Sequence, residues 1–158
     1  MQKTFLSLFS VILLSFFCVA DATAQKKSTD YSQLATEVLQ LVNKHRTEMK
    51  LPALKMSPMI AKVAGTHSAN MASGKVPFSH DGFDDRVAII NKQIKGANGW
   101  GENVAEGPHT AKNVVDMWLR SPEHKKNIEG NYDLTGIAIA KSADGTIYYT
   151  ELFVNSGK

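Results

Sequence analysis

The sequence predicts an α+β domain in which helices pack against a small, mostly antiparallel sheet. Apolar residues recur at helical spacing in three segments, which begin near residues 31, 57 and 111. Two β-branched, apolar segments near the C-terminus flank Asp144-Gly145, which is a strong hairpin signal. The strands are few and do not alternate regularly with the helices, so a layered α+β arrangement is favoured.

The N-terminal residues have the composition of a secretory signal. Lys3 precedes an apolar run over 5–20 and then Ala22-Thr23-Ala24, an A-x-A cleavage site. The run is shorter than the roughly 20 residues of a membrane-spanning helix, so we expect no transmembrane anchor. Cleavage after Ala24 would release residues 25–158 outside the cytoplasm, as a secreted protein with one domain.

Cysteine and charge content narrow the class of protein further. Cys18 is the only cysteine and would leave with the signal, so the domain is expected to lack disulfides. Phe16-Phe17 disfavour lipid attachment at Cys18, because a lipoprotein signal has small residues just before its cysteine. The formal net charge is +3 with acids and bases interspersed, which argues against nucleic acid as a partner. We expect a monomer.

The first predicted helix covers residues 31–49 and follows a polar lead-in over 25–30 that offers several N-cap residues. Lys50-Leu51-Pro52 ends it, since proline restricts the residue before it. His45 lies on the apolar stripe of this helix. We interpret it as a packed histidine bonded to a backbone carbonyl.

The second predicted helix begins at Ser57-Pro58, an N-cap followed by proline at the first helical position. Gly74 ends it. His67 lies on its buried side, where a structural role is the main interpretation and a position facing the site is the alternative. The predicted inner face consists of Ile60, Val63, Ala64, His67 and Met71.

The middle of the chain places three polar side chains near breaks in the regular pattern. His80 lies in a loop over 75–86 that leads into a short helix ending near residue 92. Glu102 lies on a short strand predicted over 101–105. A helix capped by Thr110 stops near Ser121-Pro122, so His124 is expected just past a helix end. The predicted inner face of this helix, with Trp118 buried against the sheet, consists of Ala111, Val114, Val115 and Trp118. The remaining predicted elements are the two hairpin strands, 135–141 and 146–155.

Glu102, His80 and His124 would form a candidate site if their loops converge at one end of the sheet. Two imidazoles and a carboxylate suit zinc with an open water position. Alternatively, Glu102 holds one histidine in a fixed tautomer so that the ring acts as a base. The third interpretation is structural, with Glu102 accepting bonds from both histidines and nearby amides.

Several of these motifs, in this order and spacing, resemble the CAP superfamily, also called the SCP domain. The resemblance covers about residues 41–154. In lacking cysteine, the domain is similar to members of the bacterial branch of this family. The matching motifs are Phe78-Ser79-His80, Gly101-Glu102-Asn103-Val104-Ala105, Trp118 with Ser121-Pro122-Glu123-His124, Asn127-Ile128, Gly136 and the segment 149–153.

The resemblance implies a three-layer α-β-α sandwich with a cleft that holds two histidines and two glutamates. His80, Glu102 and His124 match three of these positions, and Ser121 replaces the second glutamate, for which Glu123 is out of register. The implied metal ligands are His80 and His124, for a divalent ion such as zinc. The implied function is binding. The ligand would be a lipid, another small apolar molecule or a metal, and the partner would be a protein. The alternative is a peptidase-like extracellular hydrolase.

Overall fold

The computed structural model describes residues 22–107 and 109–158, with side chains from residue 31 onward. The predicted signal run over 5–20 lies outside these residues. The helices are α1 (Ala22–Glu48), α2 (Pro58–Ala72), α3 (Phe83–Gln93), α4 (Ala111–Arg120) and α5 (Pro122–Ile128). The strands are β1 (Lys55–Met56), β2 (Gly99–Glu106), β3 (Leu134–Lys141) and β4 (Ile147–Asn155).

The four strands form one sheet in the order β1-β3-β4-β2. The β3–β4 and β2–β4 pairs are antiparallel, and only the two-residue β1 runs parallel to its neighbour, β3. The predicted hairpin turns at Asp144-Gly145, where Gly145 has a φ of +98° that favours glycine. The α+β class and the mostly antiparallel sheet are therefore confirmed.

Helices cover both faces of this sheet, which confirms the three-layer α-β-α sandwich. Helices α2 and α3 pack on one face through a cluster that includes Ile60, Ile90 and Leu152. Helices α1, α4 and α5 pack on the other face through the larger cluster, which includes Val38, Trp118 and Phe153. Successive strand residues point to opposite faces, so each core draws on alternate positions of β3 and β4.

Helix α4 follows the sequence prediction closely. Thr110 caps it by accepting a hydrogen bond from the Asn113 N–H, and its four buried residues are those of the predicted inner face: Ala111, Val114, Val115 and Trp118. Trp118 is fully buried, as predicted, and its indole Nε1–H donates to the Val104 carbonyl over 3.1 Å. This bond satisfies the polar atom that burial of a tryptophan would otherwise strand.

Helix α2 crosses β3 at very short range, and Gly136 makes this possible. A Cβ atom added at Gly136 would lie 2.2 Å from the Ala61 nitrogen, which is a direct clash with the helix backbone. The helix begins after Ser57, as predicted, and its buried face includes all five predicted residues together with Ser68.

The first and fourth helical segments differ from the predictions. Helix α1 begins at Ala22 rather than near residue 31, since neither glycine nor proline interrupts the chain before its end at Glu48. Pro122, predicted to end helical structure, instead occupies the first position of α5, where its missing N–H costs no helical bond. The short strand β1 was not predicted, because two residues carry no periodic signal. No helix in the described part of the chain is long and apolar enough to span a membrane.

Candidate functional site

Glu102 lies near the centre of β2, with its side chain directed towards α2 and α3. The carboxylate is only 2% exposed and accepts a hydrogen bond from His80 Nδ1 over 2.8 Å. His80 comes from the loop before α3, and its side chain is 50% exposed. Because Nδ1 donates to Glu102, the Nε2 atom of His80 is the ring nitrogen that remains for solvent or a ligand.

Arg86, which the sequence patterns did not identify, is the principal partner of Glu102. Its Nε–H donates to Oε2 over 2.6 Å and Nη2 donates to Oε1 over 2.7 Å, so the pair is bidentate. The remaining guanidinium hydrogens reach the carbonyls of His80 and Asp81 and the Nδ1 atom of His67. All five N–H groups of this buried arginine therefore have a partner.

His67 is the second residue of this network. Its Nδ1 lies 3.3 Å from the Arg86 Nη1 atom, and its Nε2 lies 2.9 Å from the Ser79 carbonyl. Since a guanidinium only donates, Nδ1 must accept, and the ring is neutral with its proton on Nε2. Burial lowers the pKa of His67, which agrees with a neutral ring. His67 thus combines the predicted structural role with a position facing the site.

Glu102 is held in its charged form by these partners. Burial by itself would raise the pKa of its carboxyl, but the hydrogen bonds from His80 and Arg86 outweigh burial and hold the pKa below the usual value. A buried carboxylate with two charge-assisted bonds from one guanidinium is an ion pair. The carboxylate of Glu102 is therefore fully bonded and closed to bulk water, whereas His80 remains half exposed.

His124 belongs to helix α5 and not to a loop, which corrects the expected position. Its Nδ1 atom is buried without a hydrogen-bond partner among the described residues. Burial, and then the nearby His80 ring, lower the pKa of His124. Within the described residues no hydrogen bond joins His124 to Glu102, so the carboxylate accepts from His80 and Arg86 in place of the predicted pair of histidines.

The two other residues considered for the cleft lie at the start of α5. Ser121 joins α4 to α5, and among the described residues its hydroxyl forms no hydrogen bond to His80, Glu102 or His124. Glu123 is exposed and acts on His124 only through its charge, which favours the protonated ring. Ser121 has no carboxylate and Glu123 is exposed, so neither residue pairs a second carboxylate with Glu102.

The donor atoms around Glu102 do not fit a three-ligand zinc centre. Both carboxylate oxygens are engaged by Arg86 and His80, which leaves the imidazoles of His80 and His124 as donors. Catalytic zinc is held by three protein ligands. Within residues 22–107 and 109–158, no group of three or more His, Cys, Asp or Glu side chains has the geometry to hold a metal ion.

Side chains close the outer edge of β2, and two of the three, Trp118 and Asn127, belong to the resemblance motifs. This edge strand points alternate carbonyls away from the sheet, and each of three successive outward carbonyls accepts a side-chain donor. The bonds run from Tyr132 to Trp100, from Asn127 to Glu102 and from Trp118 to Val104. Pairing by another strand is therefore blocked along this edge.

A groove of about 480 Å³ lies between α2 and α3, lined by Arg86 and His67 but not by His80. Its apolar lining comes from Met59, Val63, Val76 and Ile89, and its rim carries Lys62, Asp81 and Asp85. Ile89 is 48% exposed and so offers apolar surface to a ligand in the groove. The groove was not predicted, because it depends on how two helices pack.

The helical spacing of α3 contains a signal that would have identified Arg86. Arg86 precedes Ile90 by four residues, so both lie on one face, and both are buried. A charged residue on an apolar stripe is rarely buried without a partner. His45 shows the same dependence on packing, since it bonds Glu129 Oε1 at 2.8 Å and not the predicted backbone carbonyl.

Comparisons with known proteins agree with these motifs. The family model for CAP, the cysteine-rich secretory protein family, matches residues 39–153. The uncharacterized protein YkwD of Bacillus subtilis is 30% identical over 146 residues, covering 85% of this chain and 54% of that protein. The chain thus spans about half the length of that relative.

Solved structures share the fold. An extracellular SCP-domain protein from Bacillus anthracis is 26% identical with a TM-score of 0.67, covering 83% of this chain and 43% of that one. An outer surface protein of Borrelia burgdorferi is 23% identical with a TM-score of 0.66, covering 75% of this chain and 89% of that one. At this identity the second likeness concerns the fold alone.

Proposed function

The chain belongs to the CAP family of cysteine-rich secretory proteins, and we propose that it is an exported domain that binds a small apolar molecule in the groove between α2 and α3. The observation that carries this proposal is the wall shared by the groove and the Glu102 network. Arg86 and His67 line the groove, yet their N–H groups are all bonded inward. Arg86 and His67 thus offer no free N–H to the groove, whose surface is mainly apolar, with Thr66, Asn70 and Gln93 as its uncharged polar lining.

The size and lining of the groove support a small ligand. Its volume of about 480 Å³ lies within the range of small-molecule sites, roughly 300–1,000 Å³. Met59, Val63, Val76 and Ile89 supply apolar contacts, while Lys62 at the rim offers a cation to a polar end group. An amphiphile with an apolar body matches this arrangement, because its polar end would remain near water.

Export is supported by the sequence and by one similar protein. Lys3, the apolar run over 5–20 and Ala22-Thr23-Ala24 match a secretory signal. The SCP-domain protein from Bacillus anthracis is described as extracellular. N-terminal sequencing of protein recovered outside the cytoplasm should begin at Gln25, and an intact Met1 there would contradict export by cleavage.

Binding in the groove can be tested with two matched variants of α2. Thr66 lines the groove, whereas Ala69 lies on the same helix, is exposed and does not line it. In titrations with the apolar dye Nile red, Thr66→Trp should weaken binding at least tenfold, and Ala69→Trp should leave it unchanged. Equal binding by the two variants, or no binding by the parent protein, would contradict the proposal.

Hydrolysis is the alternative function, and the free Nε2 atom of His80 is the observation that favours it. Glu102 orients this ring through Nδ1, which is how a carboxylate prepares a histidine to act as a general base. The scheme lacks an evident nucleophile within the described residues, where Ser121 does not bond His80. Cleavage of labelled casein by the parent protein that is lost in His80→Ala would favour hydrolysis over simple binding.

The metal role expected for His80 and His124 stays a prediction. Two imidazoles hold zinc less firmly than the three or four ligands of established sites. Zinc titration of the parent protein and His80→Ala measures this role directly. A shared site predicts binding that is lost in the variant and weakens below a pH of roughly 6.5, where imidazole becomes protonated.

A further inference from the structure

The two edges of the sheet differ, and within residues 22–107 and 109–158 the β3 edge is open beyond its short pairing with β1. Strand β1 pairs only with Leu134 and Thr135, at the beginning of β3. The last main-chain bond between them runs from the Ser57 N–H to the Thr135 carbonyl. From there the chain turns into α2, so no described strand lies beside the rest of β3 on this side.

The main-chain groups of successive β3 residues point alternately to β4 and to the open edge, so the known bonds show which residues face outward. The Thr135 carbonyl points to β1, and Ser142, at an even position, donates to Thr146 across the hairpin. Even residues of β3 therefore bond β4, and odd residues point outward. Among the described residues, the outward N–H and C=O groups of Ile137 and Ile139 have no main-chain partner. On β2, by contrast, the outward carbonyls accept hydrogen bonds from side chains.

A groove of about 460 Å³ runs along this open edge, between α1 and α2. Its walls include Tyr31 and Ala35 on α1, Met56 on β1, and Pro58 and Ala61 on α2, and Ile137 and Ile139 of β3 also line it. We name it the β3 edge groove. The unpaired part of β3, from 137 to 141, is about 15 Å long at roughly 3.3 Å per residue, so it accommodates about five extended residues.

Charge distinguishes the partners that this groove would accept. Exposed lysines stand at both ends of the edge, Lys55 on β1 and Lys141 on β3. Asp144, in the hairpin turn, accepts bonds from Ser142 and Thr146 within that turn. Antiparallel pairing of β3 with a second copy would bring Lys141 of each chain towards the β1 end of the other, where Lys55 repels it. A peptide with acidic ends meets opposite charges instead.

We propose that the β3 edge groove binds an extended peptide segment of small residues with an acidic residue at each end, which adds as a strand to β3. The outward groups of Ile137 and Ile139 supply the main-chain bonds, and the groove volume of about 460 Å³, shared by about five extended residues, limits the peptide to small side chains. This site is separate from the groove between α2 and α3, and each proposal can fail without the other.

A panel of fluorescein-labelled hexapeptides tests the proposal, with Asp at both ends and Gly, Ala, Ser or Val at the four inner positions. We expect saturable fluorescence anisotropy with the parent protein, and a loss of at least tenfold in affinity when the inner residues are N-methylated. Ala61→Gln, which fills the groove, should also weaken binding at least tenfold. Ala69→Gln on the same helix is the matched control and should bind as the parent does.

Two further measurements separate the alternatives. Lys141→Glu should shift preference from Asp-ended to Lys-ended peptides. The proposal is overturned if no peptide binds up to about 1 mM, the weakest affinity that the titration resolves, or if N-methylated peptides bind equally well. A protein that sediments as a dimer and is dissociated by Ala61→Gln would assign the edge to a second copy, which also overturns it.

Discussion

Each face of the sheet buries one arginine and one glutamate, and the two faces treat their carboxyls in opposite ways. On the α2 and α3 face, Arg86 donates two hydrogen bonds to Glu102, whose pKa is held below its usual value. On the α1 face, the bonds of Arg46 go to main-chain carbonyls and not to Glu151. Burial raises the pKa of Glu151 to about 8, although Thr135 and Arg46 act in the opposite direction.

The difference arises from what else each arginine bonds. Arg46 reaches four main-chain carbonyls, those of Pro52, Ile128, Gly130 and Tyr132, and so ties α1 to the segment after α5. The Thr135 hydroxyl donates a hydrogen bond of 3.2 Å to one carboxyl oxygen of Glu151. The other carboxyl oxygen is buried without a partner among the described residues. Burial alone thus does not set the charge of a carboxyl; the direction of the neighbouring donors does.

The largest expected effect comes from removing Arg46. Arg46→Met keeps much of the side-chain volume but removes a donor from four carbonyls, of which that of Gly130 retains the Tyr132 N–H. At about 1 to 3 kcal/mol for each of the three that lose their donor, the free energy of unfolding should fall by roughly 5 kcal/mol. Urea denaturation measures this change. A loss below about 1 kcal/mol would show that water replaces the guanidinium and that Arg46 is not a structural tie.

Breaking the pair on the other face should cost slightly less. Arg86→Met leaves Glu102 buried and charged without its main partner, which typically costs about 3 to 5 kcal/mol. Arg86→Met combined with Glu102→Leu removes both charges and should recover part of that loss. If urea denaturation shows the double variant to be no more stable than Arg86→Met alone, the charge of Glu102 is not what the arginine stabilises.

Glu151 should give a pH dependence of the opposite sign to that of Glu102. Its folded pKa of about 8 exceeds the ordinary value of 4.5, so the folded state binds more protons and loses stability as pH rises between these values. At about 1.4 kcal/mol per pKa unit, Glu151→Gln should stabilise the protein by about 3 kcal/mol at pH 7 and by little at pH 5. Unfolding curves at both pH values measure the difference, and equal effects at the two would contradict a protonated Glu151.

The stabilisation that Glu102 contributes should decrease as pH falls, whereas that of Glu151 decreases as pH rises. Its carboxyl has a lowered pKa, so its contribution is present above the unfolded value of 4.5 and is lost as pH falls through the folded pKa. The contribution of Glu102, taken as the difference between the parent and Glu102→Gln, should therefore shrink below pH 4.5. Thermal unfolding from about pH 7 to about pH 3 tests this, and a difference that does not change with pH would contradict an ionised Glu102.

The smallest expected effect belongs to His80. Its side chain is half exposed, and Arg86 retains both bonds to Glu102 when the ring is removed. His80→Ala should therefore lower the free energy of unfolding by only about 1 kcal/mol, the net value of one hydrogen bond. A loss as large as that of Arg86→Met would mean that His80, and not the arginine, holds the network together.

The sequence by itself determined the elements that rest on local patterns. The faces of α2 and α4, the Thr110 cap and the Asp144-Gly145 turn follow from spacing and from residues with one strong conformational preference, so they were predicted with nearly correct bounds. The motif around Glu102 likewise identified one carboxylate and a bonded histidine, His80.

Only the tertiary structure decided which partners those side chains have. Arg86 is distant from Glu102 along the chain, and the same arginine type on α1 bonds carbonyls instead of the nearby Glu151. The groove between α2 and α3, the helix that carries His124 and the open edge of β3 likewise depend on how elements pack. Periodicity describes which face of an element is buried, but it contains no information on the distance or direction between two elements, and these decide hydrogen bonds, charge states and cavities.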